Sequence, residues 1–249
     1  MAFMHCNFYS FALGKDVGMD VVLPDGKALG DLKALTLLHG YGENETKWIR
    51  ASQIENMAQE SSVAVFMPDG ENGFYTDMEE GNQYWEFFSK ELPIVKRNLF
   101  PGLSLRREDN MIAGNEMGGY GALKLAVKCP EQFGCVGSFS GDLDLKISFA
   151  KSGLDRICEA VFGKKQIRDE EDLFWLLSHK WKDSLKHTKV YVGYGYRDLS
   201  KDLNDRFSEF LSGKAGELKV SILNKNNRWE LWNSLVSEFL AYHRAVQHK

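Results

Sequence analysis

The chain has 249 residues, of which 43% are hydrophobic and 27% charged, and its formal net charge is −4. That length holds one sizeable α/β core, and the composition is that of a globular chain rather than a disordered or fibrous one. The acidic balance without a dense Lys/Arg run argues against nucleic-acid binding, and no apolar run nears the roughly 20 residues of a membrane span.

Residues 4–24 read as two antiparallel strands, 6–11 and 19–23, with a turn near Gly14-Lys15-Asp16. Residues 32–38 form a near-continuous apolar run, the pattern of a strand buried on both faces of a parallel sheet. Helical spacing follows over 46–59, then another buried strand over 63–67 closed by Pro68-Asp69-Gly70. A long helix is predicted over 82–98 from the spacing of Tyr84, Phe87, Phe88, Leu92, Val95 and Leu99, with a kink at Pro93. A short strand near 110–113 leads into a helix over 120–128, and 133–139 reads as the next strand. Residues 143–186 have weaker periodicity, with short helices near 154–162 and 170–178, and read as a lid-like insertion over the carboxyl edge of the sheet. Strands over 190–193 and 220–223 and two further helices close the chain. Without repeats or linkers, residues 1–249 read as one domain: a mostly parallel central sheet with helices on both faces. Ligands in such sheets bind where the carboxyl ends of the strands meet the loops, here 39–42, 68–77, 114–118, 195–199 and 224–229.

The first residues, Met1 to Cys6, lack the basic-then-apolar pattern of a signal peptide. The cysteines Cys6, Cys129, Cys135 and Cys158 form no C-x-x-C pair and no zinc-like spacing. They read as free thiols in a cytoplasmic protein, with Cys129 and Cys135 as small buried hydrophobes. No metal site and no cofactor is expected.

The stretch that organises the chemistry is Gly114-Asn115-Glu116-Met117-Gly118-Gly119-Tyr120-Gly121, between an apolar run and a helix. Strand, glycine-bracketed turn and helix is the context of a nucleophile elbow, G-x-S-x-G, but the tip here is Glu116. Acyl transfer also needs an acid, a base and two oxyanion donors, with nucleophile, acid and base following one another along the chain. The loops fit that order as Glu116, Asp198 and 224–229, yet only the acid has its expected residue.

The sequence resembles the esterase D and tributyrin-esterase group of α/β-hydrolases, relatives of S-formylglutathione hydrolases and of carbohydrate acetyl and feruloyl esterases. The resemblance is carried by Leu37-Leu38-His39-Gly40-Tyr41-Gly42, Phe74-Tyr75-Thr76-Asp77, the elbow, Cys129-Pro130-Glu131-Gln132-Phe133, Ser138-Phe139-Ser140-Gly141, Gly195-Tyr196-Arg197-Asp198 and Asn227-Arg228-Trp229-Glu230-Leu231-Trp232. It spans nearly the whole chain and is loose only over 143–186. It implies an α/β-hydrolase fold and an ancestral hydrolysis of short-chain carboxylic or thiol esters. It also implies oxyanion donors at the Tyr41 and Met117 amides, and a pocket formed with His39, Gly40, Tyr75 and Trp229. A small acyl-ester-like ligand and a homo-oligomer fit the same resemblance, while nucleic-acid and membrane partners do not.

Two departures fall on the chemistry. Glu116 stands where the family has its serine nucleophile, and Asn227 where it has its histidine base; an amide does not titrate near neutral pH. His39 belongs to the oxyanion loop, in a structural role. These departures predict a silenced esterase in which Glu116 accepts the Tyr41 and Met117 amide hydrogens and blocks its own oxyanion hole. The alternative is an active hydrolase or lyase in which Glu116 and Asp198 act as a carboxylate pair. A further class is a ligand-binding or interaction protein. Gly163-Lys164-Lys165 is not a phosphate loop, since no strand precedes it.

Overall fold

The computed structural model describes residues 1–163 and 167–244. Eight strands, β1 (Ala2–Ser10), β2 (Lys15–Leu23), β3 (Lys33–Leu38), β4 (Val63–Pro68), β5 (Asn110–Asn115), β6 (Cys135–Phe139), β7 (Lys189–Gly195) and β8 (Glu217–Leu223), form one sheet in the order β1-β2-β4-β3-β5-β6-β7-β8. β1 pairs with β2, and β2 with β4, antiparallel; every other neighbouring pair is parallel. The inner strands β3, β4, β5 and β6 are buried almost throughout, which is why they read as unbroken apolar runs. The edge strands β1 and β8 alternate between exposed and half-buried residues, as strands covered on one face do.

Helices cover both faces and divide the core in two. On one face α1 (Lys47–Ala51), α2 (Ile54–Ser61) and α10 (Arg228–Arg244) pack Trp48, Ile54, Trp232 and Phe239 against the sheet. On the other, α4 (Leu92–Leu99), α5 (Met117–Lys128), α8 (Leu173–Ser178) and α9 (Lys201–Leu211) contribute Leu92, Tyr120, Leu176 and Phe207.

The predicted helix over 46–59 is two helices. The Ser52 hydroxyl takes the Ile54 amide at 3.1 Å and donates to the Trp48 carbonyl, ending one helix while starting the next. The helix predicted over 82–98 runs as α3 (Tyr84–Glu86), a π-helical turn over Phe87–Glu91, and α4. Pro93 at the start of α4 has no N–H to give, and the wider π turn just before it absorbs the mismatch. The Ser89 carbonyl, four residues before Pro93, is instead taken by the Gln132 side-chain amide at 2.9 Å.

Residues 143–186 carry the two short helices read from the sequence, α7 (Asp155–Phe162) and α8, and a third, α6 (Leu145–Ser152), that its weak periodicity hid. Asp144 caps α6 by accepting from the Ile147 amide. The segment is tied to the core through Glu171, which is ion-paired to fully buried Lys124 of α5. The Tyr120 hydroxyl donates to the Glu171 carbonyl at 2.9 Å, closing the same network. Lys164 and Lys165 of the basic run noted above lie outside the described residues. All four cysteines are free, with Cys129 and Cys135 buried as expected. Among the described residues no helix is long and apolar enough to cross a membrane.

Candidate active site

β5 ends at Asn115 and α5 starts at Met117, so Glu116 alone makes the turn, with φ 49° and ψ −115°. That conformation is strained for a residue with a Cβ and must be held from outside. The Glu116 amide donates to the Phe139 carbonyl at 3.0 Å, and its carbonyl accepts from the Tyr120 and Asp142 amides. The glycines let backbone approach backbone at the turn. A Cβ on Gly118 would lie 2.7 Å from the Leu38 and His39 carbonyl oxygens. The elbow is present as a backbone structure.

The loop after β3 lies beside it. His39 is buried; its Nε2 accepts the Gly70 amide at 2.9 Å, which leaves Nδ1–H to donate to the Gly40 carbonyl at 2.9 Å. The Tyr75 hydroxyl donates to the His39 carbonyl at 2.8 Å. Both residues therefore brace the loop from behind. Glu43 accepts the Gly40 amide and the Asn115 side-chain amide, binding loop to elbow a second time.

Asp198 follows β7. Its Oδ2 accepts from the Gly195 amide and from the Ser140 hydroxyl, each at 2.6 Å. Ser140, itself at φ 51°, accepts the Trp232 indole N–H at 3.2 Å. Asp198 is thus oriented by the Gly195 amide of β7 and by Ser140, just past β6, which Trp232 of α10 holds in turn; among the described residues no imidazole bonds to it.

Asn227 does not complete that set. Its Oδ1 accepts the Trp229 and Glu230 amides at 2.9 and 3.1 Å, so its side chain caps the N-terminus of α10 instead of facing Asp198. The next residue takes the space. The Arg228 guanidinium is ion-paired to Glu116 and stacks over Trp232, 4.9 Å from the ring centroid.

The expectation that Glu116 fills its own oxyanion hole is corrected here. Its carboxylate is paired to Arg228, and no described acceptor takes the Tyr41 or Met117 amide. A full positive charge at the cleft mouth outcompetes two neutral amide donors. The pocket expected from His39, Gly40, Tyr75 and Trp229 is also corrected. A cleft of about 480 Å³ opens above the elbow, lined by Tyr41, Glu116, Asp142, Asp198, Arg228 and Trp232 among others. His39 and Tyr75 sit beneath the loop, and Gly40 backs the Glu116 carboxylate. Trp229 is edge-on to both Trp48 and Trp232, with Lys47 over its face.

Arg228, Ser140 and Asp142 are among the cleft residues to which the sequence reading gave no role. Arg228 and Ser140 lie inside quoted motifs and Asp142 directly follows one, but a motif template weighs only its defining positions. Asp142 is chemically distinct: burial pushes its carboxyl up to about 6, against a smaller lowering by the Ser148 hydroxyl. Among the described residues no group of three His, Cys, Asp or Glu side chains is placed to hold a cation.

Residues 10–229 match the family described as "Putative esterase". The chain belongs to this esterase family. Within it, the chain is 30% identical to an acetyl esterase of Caldicellulosiruptor saccharolyticus over 95% of this chain and 96% of the relative. It is 29% identical to an S-formylglutathione hydrolase of Paracoccus denitrificans, covering 53% of this chain and 54% of the relative. The solved structure of a fluorophosphonate-binding serine hydrolase of Staphylococcus aureus, FphF, superposes with a TM-score of 0.87 over 97% of this chain and 98% of that one, at 26% identity. The sheet is therefore that of an α/β-hydrolase.

Proposed function

We propose that this esterase-family protein no longer hydrolyses esters and keeps its cleft as a binding site for a small acyl-ester-like ligand. The observation that carries the reading is the pairing of Glu116 with Arg228 at the tip of the elbow. Attack on an ester carbonyl needs an oxygen or sulfur nucleophile and a base to take its proton. A carboxylate held by a guanidinium is a poor nucleophile, and the Asn227 amide, committed to a helix cap, accepts no proton near neutral pH. The Ser140 hydroxyl is no substitute, since it donates to Asp198 and accepts from Trp232. The free Tyr41 and Met117 amides would still receive a carbonyl oxygen, which favours binding without turnover. Ser148 and Leu154, from residues 143–186, line the cleft, and we assign that segment as its lid.

The competing chemistry, Glu116 and Asp198 as a carboxylate pair, loses support because each group has separate partners: Arg228 for one, Ser140 and the Gly195 amide for the other.

The test compares the unmodified chain, Glu116→Ser, and Glu116→Ser with Asn227→His on p-nitrophenyl acetate. Only the double variant should exceed background, by about 100-fold or more, because nucleophile and base act as a unit. Turnover by the unmodified chain that disappears in Glu116→Ala would overturn the proposal.

A further inference from the structure

A second cavity lies away from the cleft, between α4, α5 and the sheet, with a volume of about 190 Å³. Its lining has an apolar part, Phe88, Leu92, Leu103, Ile112, Leu125 and Phe133, and a polar part that includes Thr36, Lys96, Ser104, Asn110 and Gln132. For comparison, a hydrocarbon-lined cavity of about 150 Å³ holds a benzene molecule. Two of the polar lining groups, Lys96 and Thr36, are left with donors that the fold does not fill.

Lys96 of α4 is half-buried, but its ammonium is inside. It donates to the Thr36 hydroxyl at 2.9 Å and sits 4.5 Å from the centroid of the Phe66 ring. Among the described residues no carboxylate lies within ion-pair distance of it, and its remaining N–H groups meet no acceptor. Thr36 is buried, and its hydroxyl, having accepted from Lys96, retains a hydrogen with no acceptor of its own. Arg97 and Glu131 are the other charged groups on the lining, so its formal charge is positive. Leu105, at the rim, is 72% exposed and continues the apolar surface outwards.

The other interior lysine shows what is missing. Lys124 is fully buried, and it has a carboxylate in Glu171, a hydroxyl in Thr76 at 2.6 Å and the Tyr75 carbonyl at 3.2 Å. Burial lowers both amines to about 8. At neutral pH Lys96 is therefore mainly a cation without an anion, the costly condition that a partner would relieve.

We propose that this cavity binds a small monocarboxylic acid with an apolar body, its carboxylate on the Lys96 ammonium and the Thr36 hydroxyl. The acid has about the size of benzoate or hexanoate, set by the volume. The carboxylate supplies acceptors for both unfilled donors, and the hydrocarbon body meets the apolar walls. This site is independent of the esterase cleft and does not depend on whether that cleft turns over.

The test titrates the full chain with benzoate and hexanoate, and with benzyl alcohol and hexanol as neutral controls, by calorimetry. The acids should bind in preference to the alcohols, and Lys96→Met should weaken the acids by about tenfold or more, as expected for one charge-assisted contact. Thr36→Val should weaken them less. Circular dichroism checks that each variant is folded. If Lys96→Met fails to fold, amide shifts in the unmodified chain decide: the acids should move Arg97 and Gln132. Equal binding of acids and alcohols, undiminished binding by folded Lys96→Met, or shifts confined to Glu116 and Arg228 would overturn the proposal.

Discussion

The two halves of the candidate site have kept different things. On the elbow half, Glu116 is locked by backbone bonds to Phe139, Tyr120 and Asp142, and by glycines that allow backbone to touch backbone. Around Asp198 and Asn227 the contacts run mainly through side chains, with the Gly195 amide and the Ser140 hydroxyl on Asp198. There a side chain decides, and Asn227 has turned to cap α10 while Arg228 reaches across to Glu116. The elbow is set by main-chain contacts, whereas the arrangement near Asp198 is set by which partners the side chains of Asn227 and Arg228 take.

The sharpest way to break this comparison is at Gly118. Gly118→Ala should cost about 3 kcal/mol or more, because its Cβ would meet two backbone carbonyls that cannot step aside. Chemical denaturation measures it, and a loss near zero would mean the elbow is not backbone-enforced.

Asp142 gives the next effect, read through pH. Its folded carboxyl titrates at about 6 against an ordinary 3.8, so the folded state holds the proton more tightly than the unfolded chain. The stability that the neutral form contributes is complete below about pH 4 and is lost as pH rises through 6. Asp142→Asn should therefore match the unmodified chain near pH 4 and exceed it by about 1–2 kcal/mol at pH 8, after allowance for its partial contact with solvent. Thermal melts at both values check this, and a gain at pH 4 alone would reverse the sign.

Asn227 should show the smallest change. Asn227→Ala removes a helix cap and should lower stability by about 1 kcal/mol, whereas Asn227→Ser, which keeps a capping oxygen, should lose little. Equal losses would argue that Asn227 does something other than cap.

Much of this architecture could be read from residue order. The inner strands stand out in the sequence as apolar runs, and the glycines around Glu116 mark the elbow. What escaped was local and unpatterned. α6 lacks a clear apolar stripe, and the break at Ser52 rests on one hydroxyl. The π turn before Pro93 is a response to a missing N–H rather than a sequence motif.

At the site, the sequence by itself determined that Glu116 tips a glycine-bracketed elbow and that Asp198 and Asn227 follow on later loops. Those facts follow from spacing along the chain, and spacing is covalent. Only the tertiary structure decided where the side chains point. Glu116 could have met the Tyr41 and Met117 amides, and Asn227 could have faced Asp198. Arg228, Trp232 and the start of α10 converge on the same cleft, and the competition among their hydrogen bonds and charges settled both choices. For Glu116 that competition involves Arg228, more than 100 positions away, a distance that a one-dimensional pattern does not contain.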